Sequence, residues 1–155
     1  LIKKYKLNNN SKVLDIGCGK AFLLHEIKLL LPQISIYGFD VSKYAISKST
    51  KLIKPFLKIA KAEEKYPYKK NFFDLSISIS TLHNLEIFNL KKAFKEIERV
   101  SKNGYLVVES YRNEKELFNL QCWALTCASF FSKKEWEWIF KEYNYKGDYE
   151  FIYFR

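Results

Sequence analysis

At 155 residues, with 48% hydrophobic, 17% aromatic and 28% charged side chains, the chain has the composition of one globular domain spanning residues 1–155, which excludes a disordered tail, a collagen-like fibre or a low-complexity linker. No run approaches the roughly 18 apolar residues of a membrane span, and three cysteines at irregular spacing fit packed, reduced thiols better than a disulfide framework or a zinc site. The net charge of +10 admits an anionic partner, yet Arg99, Arg112 and Arg155 are its only arginines and the lysines never cluster beyond pairs, so they read mainly as solvated faces.

Residues 1–7 alternate lysine with apolar side chains and lack a signal peptide's continuous apolar stretch, so the cytosol is the expected location. Methionine is absent throughout, and a segment before Leu1 is therefore expected. Residues 12–16 form an apolar run that ends at a glycine-rich turn, and residues 21–31 carry apolar side chains at helical spacing until Pro32 stops them. A second β-prone run, 34–39, closes at Asp40, after which Ser42 is a candidate N-cap for a helix to about Lys54. Residues 56–60 read as a weaker third strand and 72–80 as a fourth, and 90–100 repeat apolar residues as a helix. Gly104 opens a fifth strand, 105–109. Residues 114–128 look helical, Ser132 and Glu135 make a capping box for a helix at 136–143, and 149–154 form a last strand. Strands alternating with helices predict an α/β, doubly wound, mostly parallel sheet of six or seven strands with helices on both faces.

In such a sheet ligands bind beyond the carboxyl ends of the strands, where strand order reverses. Three of the four aspartates, Asp15, Asp40 and Asp74, lie in or beside predicted strands, and a short carboxylate suits a fixed hydrogen-bonding post. The loop from Asp15 to Ala21 carries Gly17 and Gly19 between a strand and a helix, where glycines let the backbone approach a ligand. A dinucleotide fingerprint needs a glycine at position 22, which is Phe22, so a nicotinamide or flavin site is disfavoured. A plain structural turn is the alternative reading of a lone Gly-x-Gly.

Residues 13–19 (Val-Leu-Asp-Ile-Gly-Cys-Gly), 37–42 (Tyr-Gly-Phe-Asp-Val-Ser) and 73–84, ending Ser80-Thr81-Leu82-His83-Asn84, resemble in order and spacing the first, second and fourth motifs of the class I S-adenosylmethionine-dependent methyltransferases. The small-molecule branch that includes quinone-biosynthesis C-methyltransferases is the most similar, and the resemblance covers roughly residues 11–112. It implies S-adenosylmethionine as cofactor and transfer of its methyl group to a small molecule; no metal site is expected from the residues. It also implies roles for residues: Gly17, Cys18 and Gly19 pass close to the methionine part, Asp15 orders the loop or its amino group, Asp40 accepts both ribose hydroxyls, and Val41 lies against the adenine. Ala62, Glu63 and Ser80 complete the cofactor set, with Glu63 in the place of the family's adenine-facing acid, and Ala21 stands where the family has a third glycine.

His83, just past the fourth strand, is a candidate base or orienter of a substrate hydroxyl, with a merely packed histidine as the alternative. Asn84, Tyr111 and Arg112 are candidate substrate contacts, although one arginine more often ends in a surface ion pair. His25 falls on an apolar helix face and reads as structural. Trp123, Phe130, Phe131, Trp136 and Trp138 divide between core and a substrate wall. Two rival readings stand beside the small-molecule enzyme: an RNA or protein methyltransferase, suggested by the charge, and a non-catalytic module that keeps the cofactor fold.

Overall fold

A computed structural model describes residues 1–155. Six strands, β1 (Lys12–Ile16), β2 (Ser35–Asp40), β3 (Leu57–Ile59), β4 (Leu75–Ile79), β5 (Gly104–Ser110) and β6 (Asp148–Tyr153), pair in the order β3-β2-β1-β4-β5-β6, every pairing parallel. The chain runs outward from β1 to β3 and then returns to lay β4 on the other side of β1. That reversal opens a crevice above the carboxyl ends of β1 and β4.

The sheet separates two apolar cores. Leu14 and Ile16 of β1 pack with Leu90, Phe94 and Ile97 of α3 (Ile87–Val100) and with Trp136 and Phe140 of α5 (Lys133–Glu142). Val13, Leu75 and Ile77 face the other way, against Leu24 and Ile27 of α1 (Phe22–Leu30). Burial on both faces is why β1 reads as a nearly unbroken apolar run rather than an alternation. No helix is long and apolar enough to cross a membrane.

The Ser42 N-cap accepts from Ala45 N at 3.1 Å, and the Ser132–Glu135 capping box forms as predicted. Two helices end earlier than their composition predicts. α2 covers only Lys43–Ser47, because the Ser47 and Ser49 hydroxyls turn back to the Tyr44 and Ile46 carbonyls and compete with helical bonding. α4 (Glu114–Trp123) stops because residues 126–129 bond to the turn after β4 instead of continuing the helix. The fourth strand also starts late, since Asp74 accepts from Lys12 N at 2.8 Å and pairs with Lys102. Asp74 thus ties the amino-terminal ends of β1 and β4 together, away from the crevice.

One side-chain network fastens the long β3–β4 connection. Glu96 accepts from Tyr66 N at 2.7 Å and pairs with Arg99, whose guanidinium donates to the Tyr66 and Tyr68 carbonyls at 2.8 and 2.6 Å. Arg99→Ala leaves these acceptors unpaired and is expected to destabilise the protein by about 2 kcal/mol, read as a lower urea midpoint with an unchanged slope.

Candidate functional site

The turn between β1 and α1 is held open by its backbone. Gly17 N and Cys18 N donate to the Phe39 carbonyl at 2.9 and 3.0 Å, locking the loop to the end of β2. Gly17 sits at φ +74°, and an added Cβ would collide with the side chain of Thr81, whose hydroxyl donates to the Gly17 carbonyl. Gly17→Ala combines left-handed strain with this collision and is expected to lower stability by about 2 kcal/mol or more, measured by thermal unfolding. The expected partial recovery in Gly17→Ala/Thr81→Ser separates the collision from the strain. Ala21, where the resembling family has glycine, also adopts a left-handed conformation at φ +58°, with its methyl buried against the α1 core.

A cavity of about 670 Å³ opens above this loop. Gly17 and Gly19 form its floor, and an added Cβ at Gly19 meets no atom within 4 Å, so a side chain there would stand in open space. Asp40 and Val41, at the end of β2, form the adjoining wall. Gly19 N donates to Asp40 Oδ2 and Ser42 N to Oδ1, each at 2.8 Å. These two bonds orient the carboxylate and leave a lone pair on each oxygen for a ligand. Ala62 and Glu63 follow β3, while Ser80 and Asn84 follow β4 and line the same space. Thr126 closes it, donating to Asn84 Oδ1 at 2.7 Å.

Asp15, also expected at the cofactor, is only 5% exposed, lies beneath the loop outside the cavity lining, and accepts no hydrogen bond from the protein. Burial, with the charge of Asp40 adding to it, pushes its carboxyl up to about 7. A cationic group reaching it would restore the ionised form.

The structure corrects several expectations. Cys18 turns its thiol toward Gly38 and the interior and does not line the cavity, and burial pushes the thiol's pKa up. His83 does not face the cleft: it is 3% exposed, and its Nδ1 contacts Glu109 of β5 behind the cavity wall. Arg112 is captured by Glu116 in the first turn of α4 and lies over the Tyr153 ring at 4.3 Å, so it is not available as an anion clamp in the cavity. Tyr111 is half-buried, also outside the cavity lining. Trp136 is core, Trp123 packs on Phe154, and Trp138 is solvent-facing, so none of the three forms a wall of the cavity. Thr81, Leu85 and Thr126 are cavity residues that sequence reasoning missed. Thr81 could have been found from its place beside Ser80, but Thr126 carries no local signal.

Open space above Gly19 and a pinned carboxylate at Asp40 facing the cavity fit a ligand with a vicinal diol. A sequence model of the family described as "Methyltransferase domain" matches residues 7–144. The chain belongs to the class I S-adenosylmethionine-dependent methyltransferases. Among curated relatives, this methyltransferase is 34% identical over 112 residues to the tRNA (carboxymethyluridine(34)-5-O)-methyltransferase of Arabidopsis thaliana, covering 71% of the chain and 26% of the relative. It is 28% identical over 109 residues to a mitochondrial arginine-hydroxylase of Mus musculus, covering 70% and 31%. The matches thus span about a third or less of those relatives' own length. The crystal structure of YcgJ from Bacillus subtilis superposes with a TM-score of 0.71 at 22% identity, over 92% of this chain and 64% of that one, a likeness of fold.

Proposed function

We propose that this methyltransferase transfers a methyl group from S-adenosylmethionine to a small-molecule acceptor in the crevice above β1 and β4. The observation that carries the reading is Asp40, whose carboxylate faces the cavity with both oxygens oriented by backbone N–H groups. When bound, S-adenosylmethionine supplies an electrophilic methyl group on a sulfonium. Asp40 receives the two ribose hydroxyls, a match between paired oxygens and a vicinal diol. Gly17 and Gly19 admit the methionine part, and Asp15 receives its ammonium. Val41, 63% exposed, offers an apolar surface to the adenine, with Ala62, Glu63 and Ser80 around its edge. Asn84, held by Thr126, leaves its amide N–H groups for an acceptor oxygen. Holding the acceptor in line with the methyl group and excluding water supplies most of the rate.

A thermal-shift comparison of S-adenosylhomocysteine with NADH tests the cofactor class. At about 100 times its dissociation constant a specific ligand adds roughly 2.7 kcal/mol, which raises Tm by several degrees. A shift with NADH alone overturns the reading.

A nucleic-acid acceptor is the second reading, favoured by the net charge of +10 and by the similarity to a tRNA methyltransferase. It predicts RNA binding that weakens steeply with salt in a filter-binding titration. A cytosolic site of action belongs to the first reading and is supported by the free thiols of Cys18, Cys122 and Cys127.

A further inference from the structure

Residues 41–62 hold six lysines, Lys43, Lys48, Lys51, Lys54, Lys58 and Lys61, and no acid, so six of the ten net positive charges sit in 22 of the 155 residues. The fold gathers them on one edge. α2 packs against β2 and β3, and the single 3₁₀ turn at Lys54–Phe56 leads directly into β3, the open edge strand of the sheet. All six lysines are exposed and none forms an ion pair, whereas Lys4, Lys102 and Lys133 elsewhere pair with acids. Two aromatic rings stand among them. Tyr44 is 66% and Phe56 40% exposed, and each has an ammonium beside its ring, Lys48 Nζ at 5.8 Å and Lys28 Nζ at 5.6 Å from the centre.

A run of like charge repels itself and lowers stability, so a solvated face needs charges of both signs rather than this excess. Blunting the sheet edge against another strand takes one charge, which Lys58 on β3 supplies. The other five lysines lie outside that strand. Lysine meets phosphate as a point charge without reading base edges, and an exposed ring stacks on a base only where that base is unpaired. Unpaired bases are the ordinary target in RNA, where loops and single strands present them.

We propose that the α2–β3 edge is a docking surface for single-stranded RNA, held without sequence preference by lysine–phosphate contacts and by bases stacked on Tyr44 and Phe56. The surface meets the cavity at Val41 and Lys61, on the Asp40 side, whereas Asn84 lines the cavity from the β4 side. RNA docked here therefore leaves the acceptor end of the crevice free, and the inference does not depend on which acceptor takes the methyl group.

Fluorescence anisotropy of the full chain with a fluorescein-labelled, unstructured RNA of about 15 nucleotides is the test. The expected plot of log Kd against log salt has a slope of magnitude about 4, from roughly 0.7 per phosphate contact on a single strand. Lys48→Gln/Lys51→Gln/Lys58→Gln, a triple variant outside the cavity lining, is expected to weaken binding by about tenfold or more and to reduce the slope by about 2. Tyr44→Ala is expected to weaken binding by about tenfold with the slope unchanged. Lys92→Gln/Lys95→Gln/Lys141→Gln removes the same charge from α3 and α5 and should leave the affinity nearly unchanged. Equal losses from the two triple variants assign binding to overall charge and overturn the proposal. Tighter binding of duplex RNA, or of single-stranded DNA of the same sequence, also overturns it. Absence of RNA binding, with cosedimentation on phosphatidylserine–phosphatidylcholine vesicles, overturns it in favour of an anionic membrane. A thermal shift with S-adenosylhomocysteine on the same samples reads the methyl-transfer assignment separately: its loss leaves RNA binding in place.

Discussion

Asp40→Ala is expected to weaken S-adenosylhomocysteine binding by on the order of 100-fold, the equivalent of about 3 kcal/mol for two hydrogen bonds to a charged acceptor. Isothermal titration calorimetry measures it directly. The structure adds a second effect: Asp40 also accepts from Gly19 N and Ser42 N, so its removal loosens the glycine loop and the start of α2. A stability loss of about 1–2 kcal/mol is therefore expected alongside the affinity loss. Circular dichroism checks that the variant is folded at the titration temperature. Asp40→Asn keeps the volume and one acceptor oxygen, and should fall between wild type and alanine on both scales. Unchanged affinity in the folded alanine variant removes Asp40 from the ribose.

Asp15 gives the second large effect, and here stability and binding run in opposite directions. Its carboxyl is raised to about 7 in the ligand-free protein, above the ordinary 3.8 of the unfolded chain. Between these values the folded state holds a proton that the unfolded state does not, so stability grows as pH falls through 7 toward 4 and is lost as pH rises. A gain of roughly 3 kcal/mol is expected between pH 8 and 5 at this site, visible as a rising Tm. Below that window Asp74, Glu96 and Asp148 act in the opposite sense: their carboxyls are held below the ordinary range, and protonating them costs stability. Binding of a cationic tail needs Asp15 ionised, so affinity for S-adenosylhomocysteine should drop by about tenfold per pH unit below 7. Asp15→Asn should stabilise the free protein above pH 7, flatten both pH profiles and weaken the ligand. A pH-independent affinity in the wild type separates Asp15 from the ammonium.

Much of this site was legible because its signals are local. A Gly-x-Gly after an apolar run, an acid closing the second strand and a serine cap behind it each act within a few residues, and they appear in the structure at the crevice. The fate of Arg112 was also readable, since Glu116 stands four residues on, where an arginine at the start of a helix finds a carboxylate. His83 was misplaced for a different reason. Its position after β4 is local, but the direction of its ring depends on Glu109, which reaches it only because β4 and β5 pair in parallel with Ile79 opposite Val107. Thr126 enters the cavity wall through contacts with a turn about 40 residues earlier, against the helical propensity of its own segment.

By itself, the sequence determined the alternation of strands and helices, the crevice at the reversal of strand order, and the residues that short-range geometry brings to its rim: Gly17, Gly19 and Asp40. Tertiary structure alone decided that Asp15 is buried deeply enough to hold a proton near neutrality, that His83 faces Glu109 rather than the cavity, and that Thr126 completes the wall. The division follows from range: turn chemistry and capping act over a few neighbouring residues, whereas desolvation and ion pairing depend on which distant segments packing brings within a few ångströms.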